Sequence, residues 1–120
     1  MNEFSRPWAG LDPLVHAPAR LAILTVLSVV EEADFRYLLH ATGLTKGNLS
    51  AHVGKLEGAG YLVVEKTFRG KIPLTICRLT PKGRDALEQY RQTMRRLLNV
   101  EDERGSNEGS RAVSGVVGAL

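Results

Sequence analysis

The sequence predicts an α+β fold, mainly α with a small antiparallel β-hairpin, and three observations predict it. Apolar residues recur at helical spacing in three stretches between residues 16 and 57 and in a fourth after residue 80. Two runs rich in β-branched and aromatic residues, 61–68 and 74–79, flank a short segment that holds Gly70 and Pro73. Capping residues stand where these signals change, at Asp34, at Thr45 and at the pair Thr80-Pro81. A chain of 120 residues accommodates one small core, so we expect an N-terminal arm over 1–13, one domain over 14–99 and a disordered tail over 100–120.

In the arm, Pro7, Gly10 and Pro13 interrupt scattered apolar groups, and little regular structure is expected; Trp8 and Leu11 could pin it to the domain or to a partner. The first helix should start near His16-Ala17-Pro18, because proline tolerates the first helical turn, and run to about Val30. Its apolar arc is wide: Leu21, Leu24 and Leu27 make one stripe and Ile23, Val26 and Val30 another, which suggests burial against both the domain core and a partner. Asp34 can cap a second helix of about nine residues that carries Phe35, Leu38 and Leu39 and stops at Gly43. Thr45 can cap a third helix whose inward stripe is Leu49, Val53 and Leu56, and Gly58 and Gly60 end it.

Residues 61–68 and 74–79 then form a hairpin with a basic loop, Arg69-Gly70-Lys71. Thr80-Pro81 opens a last helix reaching about Asn99, in which Gly83, Leu87, Tyr90, Met94 and Leu97 alternate by four and three, the spacing of a coiled-coil seam. Leu87, Tyr90, Met94 and Leu97 are therefore the candidate dimerisation residues. A turn, a polar-faced helix, a basic hairpin and a long C-terminal helix, in that order, suit a winged helix-turn-helix, in which one helix enters a DNA groove and the hairpin grips the backbone beside it. After Val100 the composition turns to Glu, Asp, Gly, Ser and Asn, which is why that segment is read as disordered.

Charge supports a polyanionic partner. Residues 1–40 carry three Lys/Arg against five Asp/Glu, residues 41–100 eleven against four, and residues 101–120 two against four, so the positive charge concentrates on the third helix, the hairpin and the last helix. Other classes fit poorly. The single Cys77 excludes an internal disulfide and reads as a small strand residue, His16, His40 and His52 fall in three separate helices, and no metal or other cofactor is expected. No Gly-rich phosphate loop, Gly-x-Ser-x-Gly elbow or His-Glu-x-x-His is present, so no enzymatic activity is expected. The N-terminus lacks a signal-peptide pattern and the apolar run 21–30 is too short to span a bilayer, so a cytoplasmic location is expected.

Placing Leu49, Val53 and Leu56 inward turns Gly47, Ala51, Gly54 and Lys55 outward, with Asn48 and Ser50 at the edges of that face. Small residues let the helix axis approach the bases, and Asn48 can offer a donor and an acceptor to adenine. Gly47 and Gly54 each cost about 1 kcal/mol relative to Ala in an ordinary exposed helix, which favours a functional reason for them. The candidate DNA-binding set is Thr45, Lys46, Asn48, Ser50, Ala51, His52 and Lys55 on the helix and Arg69 and Lys71 on the hairpin tip. Lys46, Ser50 and Lys55 suit phosphates, and Ser50 could also reach a base edge. His52 falls on the border of the buried stripe, where a packing role and a DNA contact both stand.

On these residues the chain resembles the winged-helix transcriptional regulators of bacteria and archaea, similar to the MarR and ArsR groups and to the small single-domain winged-helix family. The resemblance covers residues 14–98. It rests on Leu49-Ser50, His52-Val53, Lys55-Leu56-Glu57 and Gly60-Tyr61, and on Leu79-Thr80-Pro81-Lys82-Gly83-Arg84 at the entry to the last helix. It implies a homodimer that binds double-stranded DNA at a palindromic or pseudo-palindromic operator, with recognition helices in successive major grooves. A compact domain has little surface for recruiting polymerase, so a repressor is expected over an activator. The metal-binding cysteine pairs of ArsR-like sensors are absent, and no residue set marks the pocket of a small-molecule effector. The alternative function is a winged-helix protein-protein interaction module without specific DNA binding, whose wing would be less basic and whose third helix would be more apolar outside.

Overall fold

The computed structural model describes residues 7–99. Four helices and a three-stranded sheet follow one another as α1 (Pro18–Val30), β1 (Glu32–Asp34), α2 (Phe35–Thr42), α3 (Lys46–Gly58), β2 (Leu62–Arg69), β3 (Ile72–Leu79) and α4 (Pro81–Leu98). The sheet is antiparallel with β3 in the centre, in the order β1-β3-β2. This is the winged-helix fold, with β2 and β3 as the wing. The tail expected over 100–120 lies outside the described residues, as do the first six residues of the arm.

The predicted caps operate. The side chains of Asp34, Thr45 and Thr80 accept from the backbone N–H groups of Tyr37, Asn48 and Gly83, each satisfying a donor that the first helical turn leaves without a partner. Gly43 ends α2 in the left-handed region, at φ 74°, where a side chain would be strained. At the hairpin tip Gly70 has φ 65°, the conformation a type II′ turn requires of its first central residue, and Lys71 is the second.

Helix α1 runs through the middle of the molecule and packs on α2, α3 and α4 as well as on β1 and β3. Ile23, Leu24 and Leu27 are fully buried there with Val15, Leu38, Leu49, Leu56, Cys77 and Leu87. The protomer itself thus accounts for most of the wide apolar arc, and no partner is required for it. Cys77 sits in the core of β3, where removal from water and then the charge of Glu57 push its thiol up to about 11.

The structure departs from the sequence-based expectation at four places. Strand β1 was not expected; Glu32-Ala33-Asp34 carries no strand signal and exists as a strand because it pairs with Arg78, Cys77 and Ile76. Pro73 lies inside β3, opposite Phe68, rather than in the loop; ladder pairs alternate between bonded and unbonded, and β1 stops at Ile76, so the missing N–H leaves no vacancy in the ladder. The arm has more order than expected: Pro7–Gly10 forms a 3₁₀ turn packed on α4, and Asp12 accepts from Leu14 N through its side chain and from His16 N through its carbonyl. Leu87 and Tyr90, read as seam residues, belong to the protomer's own core, at 1% and 7% exposure, because α4 lies against α1 and Gly83 brings its first turn onto Tyr61. Met94 and Leu97 are half-buried and Leu98 is exposed, so an outward stripe remains only on the last turns of α4.

Candidate nucleic-acid interface

Helix α3 is oriented by what it buries. Leu49, Val53 and Leu56 enter the core, which leaves Lys46, Gly47, Asn48, Ser50, Ala51, Gly54 and Lys55 exposed on one continuous face. A Cβ built on Gly47 or Gly54 meets nothing within 4 Å, so neither glycine is required by packing within the protomer. Thr45 is engaged as the cap of this helix, its Oγ1 3.2 Å from Asn48 N, and so sets where Asn48 begins its turn.

The wing stands beside this face. Ser50, Val53, Gly54 and Glu57 of α3 line a cleft of about 320 Å³ whose opposite wall is Val64, Lys66 and Thr75, with Phe35 at its end. Lys66 is a cation the sequence reading passed over; the alternation Leu62, Val64, Lys66 was the signal that places it on the strand face turned to α3. Arg69 and Lys71 are exposed at the tip, as expected, but they are not equivalent. Arg69 lines a second cleft, of about 340 Å³, on the other face of the sheet with Val30, Glu32, Asp34, Tyr37, Leu74 and Ile76.

His52 occupies the flank of α3 turned away from the wing. Its Nδ1 accepts from Arg20 Nη1 at 3.2 Å, while Arg20 Nε donates to Leu14 O at 2.6 Å, so α1 and α3 are tied by side chains. Burial first, then the charges of Arg20 and Lys55, hold the His52 ring below its usual pKa. It is half-buried, between the packing role and the surface role that its border position allowed.

The remaining motif residues fasten the elements around this face. Thr80 Oγ1 donates to Gly60 O at 2.6 Å while it caps α4, and Thr80 N donates to Tyr61 O at 3.0 Å. Tyr61 Oη donates to Asp12 Oδ2, a bond that raises the Tyr61 pKa to about 12. Lys82 Nζ lies 5.8 Å from the centre of the Tyr61 ring. The end of α3, the arm and the start of α4 are therefore fastened at one place. Across the sheet, Arg78 of β3 bridges Glu32 of β1 and Glu65 of β2. Among the described residues no group of three or more His, Cys, Asp or Glu side chains could hold a metal ion, and no helix is long and apolar enough to cross a membrane.

The family model of the winged helix DNA-binding domain matches residues 19–98. An uncharacterized protein of Methanocaldococcus jannaschii is 36% identical over 78 residues, which cover 64% of this chain and 84% of that protein. Among solved structures, a transcriptional regulator homologue from Pyrococcus horikoshii OT3 superposes with a TM-score of 0.74 at 24% identity, covering 85% of this chain and 99% of the other. The transcriptional repressor CouR, bound to a 23-mer DNA duplex, does so at 0.65 and 21%, covering 97% and 82%. A MarR-family regulator from Silicibacter pomeroyi gives 0.59 at 16%, covering 96% and 77%. At these identities the three structures establish a common fold.

Proposed function

The chain belongs to the winged helix DNA-binding domain family, and from that premise we propose that it is a transcriptional regulator that binds double-stranded DNA sequence-specifically as a homodimer and acts as a repressor. One observation carries the reading. The exposed face of α3 is small, polar and basic, includes two glycines that packing does not explain, and stands beside a wing that adds Lys66, Arg69 and Lys71. A helix bare of bulky side chains can enter a major groove closely enough for Asn48 to bond a base edge, while Lys46, Lys55 and the wing cations meet phosphates. An interaction module would need an apolar surface there, and α3 presents none.

In this reading the last turns of α4 join two protomers. Met94 and Leu97 are half-buried, Leu98 is 71% exposed, and Trp8, on the turn packed against α4, is 57% exposed. These groups leave apolar surface at the end of α4 and on the turn beside it, which a second copy would remove from water.

Fragments selected from genomic DNA by the purified chain supply the test. Binding should fall steeply with salt, and Asn48→Ala should relax preference at one base position by about 1–3 kcal/mol. Equal affinity of the wild-type chain for every fragment would remove sequence specificity from the proposal. Met94→Glu with Leu98→Glu should halve the mass in sedimentation, and an unchanged mass would exclude this end of α4 as the interface.

A further inference from the structure

The flank of α3 away from the wing holds a second group of donors, on residues that belong to two different helices. Arg20 of α1 is half-buried and held by two bonds, from Nε to Leu14 O and from Nη1 to His52 Nδ1. A guanidinium carries five N–H groups, so three of them remain. Among the described residues no carboxylate lies within ion-pair distance of Arg20. A guanidinium held in place with three N–H groups left over and no counter-charge beside it is ready to receive an anion.

His52 adds to this. Because Nδ1 accepts from the guanidinium, it carries no proton, and the neutral ring must bear its hydrogen on Nε2, as a donor. Lys55 follows one turn later on α3 and is exposed. The group therefore offers guanidinium, imidazole and ammonium donors and no acceptor, which suits the oxygens of a phosphate. At 100° per residue, His52 lies about 160° around α3 from Ser50 and Gly54, which line the wing cleft.

We propose that Arg20, His52 and Lys55 form a clamp for one DNA backbone phosphate on the flank of α3 opposite the wing, so that the recognition helix is gripped from both sides. The inference rests on the reading of α3 as the DNA-contacting helix. Arg20 anchors the clamp: its tie to Leu14 fixes the guanidinium, and its bond to His52 turns that ring into a donor at Nε2. Such a contact sets register and affinity and carries no base preference.

The test is a salt series with the full chain and a labelled mixed-sequence duplex, followed by anisotropy. Arg20→Gln should weaken binding about 10-fold at low salt and reduce the steepness of the log-log salt dependence by about 1, with equal effect on every sequence, whereas Arg20→Lys should keep the steepness. A second measurement needs no variant: adding the duplex to the wild-type chain should move the NMR signals of Arg20 Nε–H and the His52 ring. An unchanged slope in a folded Arg20→Gln overturns the clamp, and so do Arg20 and His52 signals that stay still while those of Asn48 and Lys71 move. A wild-type chain that binds no duplex at low salt overturns the DNA-binding reading and the clamp with it.

Discussion

Gly83 lies against the carbonyl oxygen of Tyr61, so close that a side-chain carbon on Gly83 would overlap it. The contact joins the first turn of α4 to the residue that precedes β2, and it is completed by the Thr80 bonds to Gly60 and Tyr61. Leu79 and the Tyr61 backbone leave no room for even a methyl group. Gly83→Ala should therefore destabilise by about 2 kcal/mol, the overpacking outweighing the roughly 1 kcal/mol that Ala gains over Gly within a helix. The midpoint of urea unfolding measures it; a more stable variant would show that the two segments separate freely.

Gly47 and Gly54 should behave in the opposite way. A methyl group meets nothing at either position, so Gly47→Ala and Gly54→Ala should each stabilise the chain by about 1 kcal/mol. If α3 lies in a groove, the same methyl groups should weaken duplex binding about 10-fold, close to 1.4 kcal/mol. Thermal unfolding and anisotropy on the same samples separate the two effects, and undiminished binding would take these glycines out of the interface.

The partial burial of His52, with the Arg20 charge beside it, predicts a pH dependence. The folded His52 pKa lies below its unfolded value of 6.5, so below that pH the unfolded chain binds a proton more readily than the folded one. This contribution to stability is complete above 6.5 and is lost as pH falls through the folded value. Unfolding midpoints should therefore drop between pH 7.5 and pH 5, and His52→Gln should show a smaller drop over the same interval. Equal drops would assign the effect to other groups.

Cys77 should be inert in the folded state. With its thiol fully buried and pushed up to about 11, almost none is thiolate at pH 8, and reaction with a disulfide reagent should follow the rate at which the chain opens. Stoichiometric labelling within seconds in native buffer would contradict this.

Much of the candidate interface was legible because it depends on neighbours in sequence. Thr45 caps α3 through a residue three positions on, and the stripe Leu49, Val53 and Leu56 settles which side of the helix faces out, whatever packs beneath it. Gly70 marks the hairpin tip by local backbone conformation. The residues that were missed depend on distant partners. Lys66 matters only once the sheet is laid beside α3, and Arg20 is an ordinary helix cation until His52, 32 residues later, reaches it.

The sequence by itself determined the element order from α1 to α4 apart from the short β1, the outward face of α3 and the concentration of positive charge on the second half of the domain. All three follow from periodicity, capping and composition, which act over a few residues. Tertiary structure alone decided that Glu32–Asp34 is a strand, that Leu87 and Tyr90 serve the protomer's own core, and that Arg20 and His52 meet. Each of these needs two segments to pack side by side, and a ladder partner, a buried face or a side-chain bond has no signature in the sequence of one segment alone.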